Sequence, residues 1–192
     1  EPAASGAEVL ACSSAGGGLR IAVVGNEELV TAEAGRRVAL SSGGKVVAVI
    51  ACARTPDFAD ELDDVRPDVV LLTGGTDGGN AEVLIDAAHR LAEGGWHGPV
   101  VVAGNVDARE HVGEILVGRP HVLADNVVPR IGVLAPASAR AATREMFLAH
   151  VIGGKGLSRR TDFTAMVRGA TPDVVLAGAV HAPGEDAAER RR

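Results

Sequence analysis

Pro67-Asp68-Val69-Val70-Leu71-Leu72-Thr73-Gly74-Gly75-Thr76-Asp77-Gly78-Gly79-Asn80 is the stretch on which the reading of this chain turns. Its apolar and β-branched run, Val69 to Thr73, feeds a loop of four glycines with Thr76, Asp77 and Asn80 among them. A helical pattern opens at Ala81. A strand that ends against a helix N-terminus is where open α/β sheets collect ligands. The stretch therefore predicts an α/β fold and marks a candidate site.

Short apolar runs alternate with amphipathic ones on both sides of it. Strands are expected at Glu8–Cys12, Leu19–Val24, Lys45–Ala51, Asp68–Thr73, Val100–Ala103, His121–Leu123 and Asp173–Ala177. Several are continuous in Val, Leu and Ile, the pattern of strands covered on both faces. Thr55-Pro56-Asp57 predicts an N-cap followed by proline at the first helical position. Asn80 and Asn105 stand where caps belong, and Gly94-Gly95 stops the helix after Asn80. The longest helix is expected from Pro136 to Ile152, with Met146, Phe147, His150 and Val151 on or near its buried stripe. A short helix is expected near Thr161–Arg168.

This alternation predicts a mostly parallel, doubly wound, Rossmann-like sheet in three layers. The first two strands are too close in sequence for a crossover helix, so they either pair antiparallel or lie in different layers. The expected organisation is a flanking segment at 1–18, an α/β core at 19–135, C-terminal helices and a final strand at 136–182, and a polar tail at 183–192. Pro67–Gly75 and Pro172–Val180 share Pro-Asp-Val-Val-Leu, which two buried strands entered through a Pro-Asp turn would share without being a repeat.

Composition narrows the function. Of 192 residues 46% are hydrophobic, mostly Ala, Val and Leu, with three Phe, one Trp and no Tyr. A net charge of −6 with scattered basic residues, and almost no rings for bases to stack on, argues against nucleic acid. No run approaches the ~20 apolar residues of a membrane span, and no signal peptide is visible. Cys12 and Cys52 lack C-x-x-C spacing and read as small buried thiols of a reducing compartment, so a cytoplasmic protein is expected. A chain that starts at Glu1 without Met reads as part of something longer.

The loop residues Thr73, Gly74, Gly75, Thr76, Asp77, Gly78, Gly79 and Asn80 are the first candidates for ligand or partner binding. Glycines let a ligand approach the backbone, successive N–H groups favour an anion, and the polar side chains can hydrogen-bond hydroxyls. Read without a ligand, the same residues make a tight turn, a cap and a dipole-compensating carboxylate. The loop lacks both Gly-Lys-Ser/Thr and G-x-G-x-x-G spacing, so neither standard nucleotide loop is present. If the strands are parallel, Gly104, Asn105 and Asn126 join Asp77 and Asn80 along one rim. The six histidines show no metal-ligand spacing, and Asp60, Glu61, Asp63 and Asp64 read as a solvated helix face. No catalytic residue is evident.

Several segments together carry a resemblance. They are Leu10-Ala11-Cys12-Ser13-Ser14-Ala15-Gly16-Gly17-Gly18-Leu19, Leu29 to Arg37, Pro67 to Asn80, and Val101-Val102-Ala103-Gly104-Asn105. With them go Asn126-Val127-Val128-Pro129, Arg144-Glu145-Met146-Phe147 and Gly154-Lys155-Gly156-Leu157-Ser158. In order and spacing, over about residues 8–180, they resemble the glutamate mutase accessory protein family, called MutL or GlmL and unrelated to the mismatch-repair protein of similar name. The resemblance implies an actin/Hsp70-like ATPase that protects or reactivates an adenosylcobalamin-dependent mutase, with ATP and Mg as cofactors of the full-length protein. It also implies a phosphate loop before Glu8 and another after Val180. Neither stands in these residues, so a central module is expected, with no ATP hydrolysis and no bound cofactor assigned to it. The expected partner is a mutase subunit; nucleic acid and membrane are not expected, and a homodimer is left open. The alternatives are a stand-alone Rossmann-like binder or enzyme using the Thr73–Asn80 crevice, and a purely structural buttress.

Overall fold

The computed structural model describes residues 11–13, 19–26, 31–152 and 167–170. Five strands form one all-parallel sheet: β2 (Arg20–Gly25), β3 (Lys45–Ala51), β4 (Val69–Leu72), β5 (Val100–Val102) and β6 (His121–Leu123), in the order β3-β2-β4-β5-β6. This is the doubly wound order in which the chain steps outward once, crosses back over its first strand and then runs on in sequence. A further strand, β1 (Ala11–Ser13), pairs in parallel with β7 (Val167–Ala170) in a separate two-stranded sheet. Of the two arrangements open to the first pair of strands, the chain thus adopts different sheets.

Alternate residues of each strand serve opposite faces, because side chains alternate across a strand. Ile21, Val23, Val69, Leu71 and Val101 pack with α1 (Glu33–Ser41) and α5 (Ala137–Met146). Ala22, Val24, Val70, Leu72, Val100 and Val102 pack with α2 (Phe58–Val65), α3 (Glu82–Glu93) and α4 (Arg109–Ile115). Helices cover both faces, so the central runs Ile21–Val24, Val69–Leu72 and Val100–Val102 are buried and apolar while the outer strands β3 and β6 are partly exposed, and the molecule has three layers. Registered columns such as Val23, Leu71, Val101 and Val122 run across the sheet.

Three expectations need correction. Helix α2 starts at Phe58 with Asp57 as N-cap, two residues later than Thr55-Pro56 predicts. The Arg90 guanidinium is the cause: it lies over the Phe58 ring and donates to the carbonyls of Cys52, Thr55 and Pro56, which holds those residues in a turn. Helix α5 continues without a break to Ile152, but as π-helical turns over Phe147–Ile152. The wider π spacing changes the phase of the stripe, so Met146 and Phe147 are buried while His150 is exposed. Val151 has its side chain outside the described residues. Asn80, by contrast, caps α3 as expected: its side chain accepts from the Glu82 N–H at 3.0 Å. Val167 and Arg168, expected at the end of a helix, belong to strand β7. The expected strand at Asp173–Ala177, the second Pro-Asp segment and the polar tail lie outside the described residues.

Candidate functional site

Parallel strands put all their carboxyl ends on one edge, and the loops after β4, β5 and β6 meet there. Asp77, from the first loop, accepts through Oδ1 from Asn126 Nδ2 at 2.8 Å and from the Val106 N–H at 3.1 Å. The same Asn126 amide donates to the Gly75 carbonyl at 3.0 Å, and its oxygen accepts from the Val128 N–H at 2.9 Å. Asn105 donates to the Gly79 carbonyl at 3.2 Å and caps the 3-10 turn Val106–Ala108 by accepting from the Asp107 N–H at 2.8 Å. Asp107 returns the link by accepting from the Gly78 N–H at 2.8 Å. Backbone bonds complete the lattice: Asp77 N–H to the Pro129 carbonyl and Asn105 N–H to the Gly74 carbonyl.

The rim therefore gathers Asp77, Asn105 and Asn126 within hydrogen-bond reach of a shared set of loops, and it joins those residues to one another. Asn105 is fully buried and Asn126 is 3% exposed; buried amides are stable only with such partners. Thr73 is also buried, its hydroxyl donating to the Thr31 and Val24 carbonyls, which ties the end of β4 to the entry of α1. The N–H groups of Asp77, Gly78 and Gly79 are all taken by protein acceptors. Those three N–H groups are therefore not free to receive an anion.

Its glycines are required by close approach. Gly75 has φ +67°, and a Cβ there would lie 2.6 Å from the Asn80 carbonyl oxygen. A Cβ on Gly104 would fall 2.7 Å from the Gly74 carbonyl oxygen, so the loops after β4 and β5 can touch only because that side chain is missing. Gly74 is buried, Thr76 is half-buried, and Asp77, Gly78, Gly79 and Asn80 are exposed. These last four form the face the loop turns outward.

Beside it stands a feature that sequence reading missed. Val128-Pro129-Arg130-Ile131-Gly132-Val133-Leu134 folds into a tight turn, closed by the Val133 N–H donating to the Arg130 carbonyl at 3.0 Å, with Gly132 at φ +80°. Ile131 is 86% exposed, and Val133, Leu134 and Val106 are exposed too. Between this turn and α1 lies a groove of about 300 Å³ lined by Glu33, Ala34, Arg37, Val128 and Ile131. At its wall the Arg37 guanidinium, hydrogen-bonded at 3.1 Å, holds the Glu33 carboxyl below the ordinary glutamate range, with Arg36 adding to the effect. An apolar run flanked by prolines was the available signal. Apolarity alone does not separate an exposed knuckle from a buried strand.

Among the described residues, no group of three His, Cys, Asp or Glu side chains is placed to hold a metal ion. No helix there is long and apolar enough to cross a membrane. His89 and His111 are exposed neighbours on α3 and α4, their rings edge to face at 6.3 Å. Asp60, Glu61, Asp63 and Asp64 are all exposed on α2.

Comparison with known proteins gives two matches. The model of a family described as MutL protein matches residues 2–188. Protein MutL of Clostridium tetanomorphum is 39% identical over 180 residues, which cover 92% of this chain and 39% of that protein. The chain thus spans well under half the length of that relative.

Proposed function

Because the chain belongs to the MutL protein family, we propose that it is the central module of an accessory protein that protects or reactivates an adenosylcobalamin-dependent mutase of the glutamate mutase type. The observation that carries this reading is the agreement with that family over almost the whole chain. The resemblance supplies the mutase as partner and ATP with Mg as the cofactors of the full-length protein. In this reading the module contributes contact and not chemistry, in keeping with polar rim residues that hold one another.

The partner-facing surface in this reading is the carboxyl edge of the sheet. Thr76, Asp77, Gly78, Gly79 and Asn80 form its polar half, held rigid from beneath by Asn105, Asn126, Gly75 and Gly104. Val106, Ile131 and Val133 form its apolar half. A rigid backbone that presents exposed aliphatic side chains suits recognition of a protein surface. A small-molecule pocket is the less favoured use, since Asp77, Asn105 and Asn126 already bond to the loops. A buried, unpaired Cys52 is in keeping with a reducing, cytoplasmic setting.

The test uses the full-length protein with ATP and a glutamate mutase inactivated by turnover. Recovery of mutase activity that requires both protein and ATP is the expected outcome. Absence of recovery, together with absence of a complex in sedimentation, would overturn the reading.

A further inference from the structure

We propose that the groove between α1 and the turn Arg130–Val133 docks a segment of the partner mutase in which an aliphatic side chain stands beside a carboxylate: the aliphatic group fills the groove and the carboxylate takes the Arg37 guanidinium. This rests on the mutase reading above and deepens it by naming what the surface recognises.

The groove keeps its shape without an occupant. Both flanks of the turn are tied down: the Asp77 N–H donates to the Pro129 carbonyl at 3.1 Å and the Ala135 N–H to the Val127 carbonyl at 2.9 Å. Ile131, Val133 and Leu134 nevertheless stand 86%, 47% and 43% exposed. Three aliphatic side chains held in water on a fixed backbone gain no packing where they are, which is the signature of a surface completed by another molecule. Because that backbone is already ordered, little ordering entropy is lost when the contact forms. On the α1 side Ala34 is small enough to leave room, and the volume of about 300 Å³ suits a few side chains. Only Glu33 and Arg37 among the lining residues carry polar side chains, and both stand at the wall.

Charge defines the occupant's chemistry. The chain carries a net charge of −6, yet the sign is reversed here. The Glu33 carboxylate is shared by Arg36 at 3.3 Å and Arg37 at 3.1 Å, so one acid serves two guanidiniums. Arg130, exposed on the turn, adds a third cation and makes no ion pair among the described residues. Arg37 bonds Glu33 through Nε, and neither of its terminal nitrogens has an acceptor among the described residues. Its side chain is 66% exposed. A guanidinium so placed at the edge of an apolar groove takes a carboxylate in fork geometry. A purely aliphatic segment would cover Arg37 without pairing it, and a purely acidic one would leave the groove wet. An acid beside an aliphatic group meets both demands.

Association of the full-length protein with glutamate mutase, followed by sedimentation at rising salt, tests the proposal. Arg37→Glu should weaken association at least about fivefold at low salt and flatten its salt dependence, because the attraction removed is a screened one. Leu134→Ser should weaken it by about as much while the salt dependence stays that of wild type. Both side chains are exposed, so melting temperatures should match wild type. Side-chain footprinting should find residues 128–134 open in the free full-length protein and covered in the complex. Wild-type association with both variants unchanged would overturn the proposal and leave the mutase reading standing, whereas no association by wild type would overturn both. An unaltered salt dependence in Arg37→Glu would overturn the carboxylate contact. Cover over 128–134 in the free protein would also overturn the proposal, making the occupant the protein's own further chain if it persists on dilution and a second copy if it does not.

Discussion

Asn126 concentrates the physics of the rim in one side chain. Its amide donates to a carboxylate and to a carbonyl, and its oxygen accepts a backbone N–H, all while nearly excluded from water. Asn126→Ala leaves the Gly75 carbonyl and the Val128 N–H without those partners, so a loss of about 1–3 kcal/mol in denaturant unfolding is expected. Asn126→Asp should cost more at neutral pH, since it sets a second carboxylate at hydrogen-bond distance from Asp77 and removes the donor. Protonation of either carboxyl restores a donor between them, so that penalty should shrink as pH falls, whereas the alanine penalty should not. A parallel pH dependence for the two variants would show that the Asp77 contact is unimportant. Gly75→Val is a backbone test at the same place: φ +67° and the nearby Asn80 carbonyl together predict a loss of more than ~1 kcal/mol, and an unchanged midpoint would contradict the conformation described.

At the scale of elements, the strands are the firmest part. Leu71 lies in the middle of β4, buried, between Val23 and Val101 in register. Leu71→Ala should therefore destabilise by ~2–5 kcal/mol through the cavity it leaves, as measured by a shifted midpoint at unchanged slope. Strands β4 and β5 were legible because burial on both faces leaves only Val and Leu, and the partly exposed outer strands Lys45–Ala51 and His121–Leu123 were still bounded to the residue by their β-branched runs. The cap at Asn105 was legible for a local reason as well. What could not be read depends on partners distant in sequence. The start of α2 is set by Arg90, more than thirty residues away, whose guanidinium takes the Thr55 and Pro56 carbonyls. The phase of the last helix is set by a π turn that no residue type announces. The rim was legible only in part: parallel strands predicted that Asp77, Asn80, Asn105 and Asn126 would line one edge, but not that Asn126 would bond Asp77 directly or that Asp107 would join their loop. Arg90→Ala tests the long-range element directly. Its three carbonyl partners and the Phe58 ring contact predict destabilisation of about 1–3 kcal/mol, with proteolytic sensitivity rising first around residues 52–58. Equal protection of that segment in both proteins would argue against the clamp.

At the scale of the molecule, the two edges of the sheet carry different surfaces. The carboxyl edge holds the laced loops and the knuckle Arg130–Val133. The amino edge receives the chain from α4, where Val117 is 78% exposed. Both Ile131 and Val117 are solvated, so a charge at either place should alter stability by no more than ~0.5 kcal/mol. Partner binding should separate them. If the carboxyl edge meets the mutase, Ile131 enters a dry contact on binding, and truncating or charging such a central aliphatic group commonly costs more than ~1 kcal/mol of affinity. In full-length protein, Ile131→Asp should then weaken association with the mutase at least about fivefold, while Val117→Asp leaves it within twofold. Matched melting temperatures for both variants would confine the effect to the interface. Equal association of both variants with the mutase would place the contact elsewhere on the molecule, and leave the rim as the device that binds three loops into a single rigid edge.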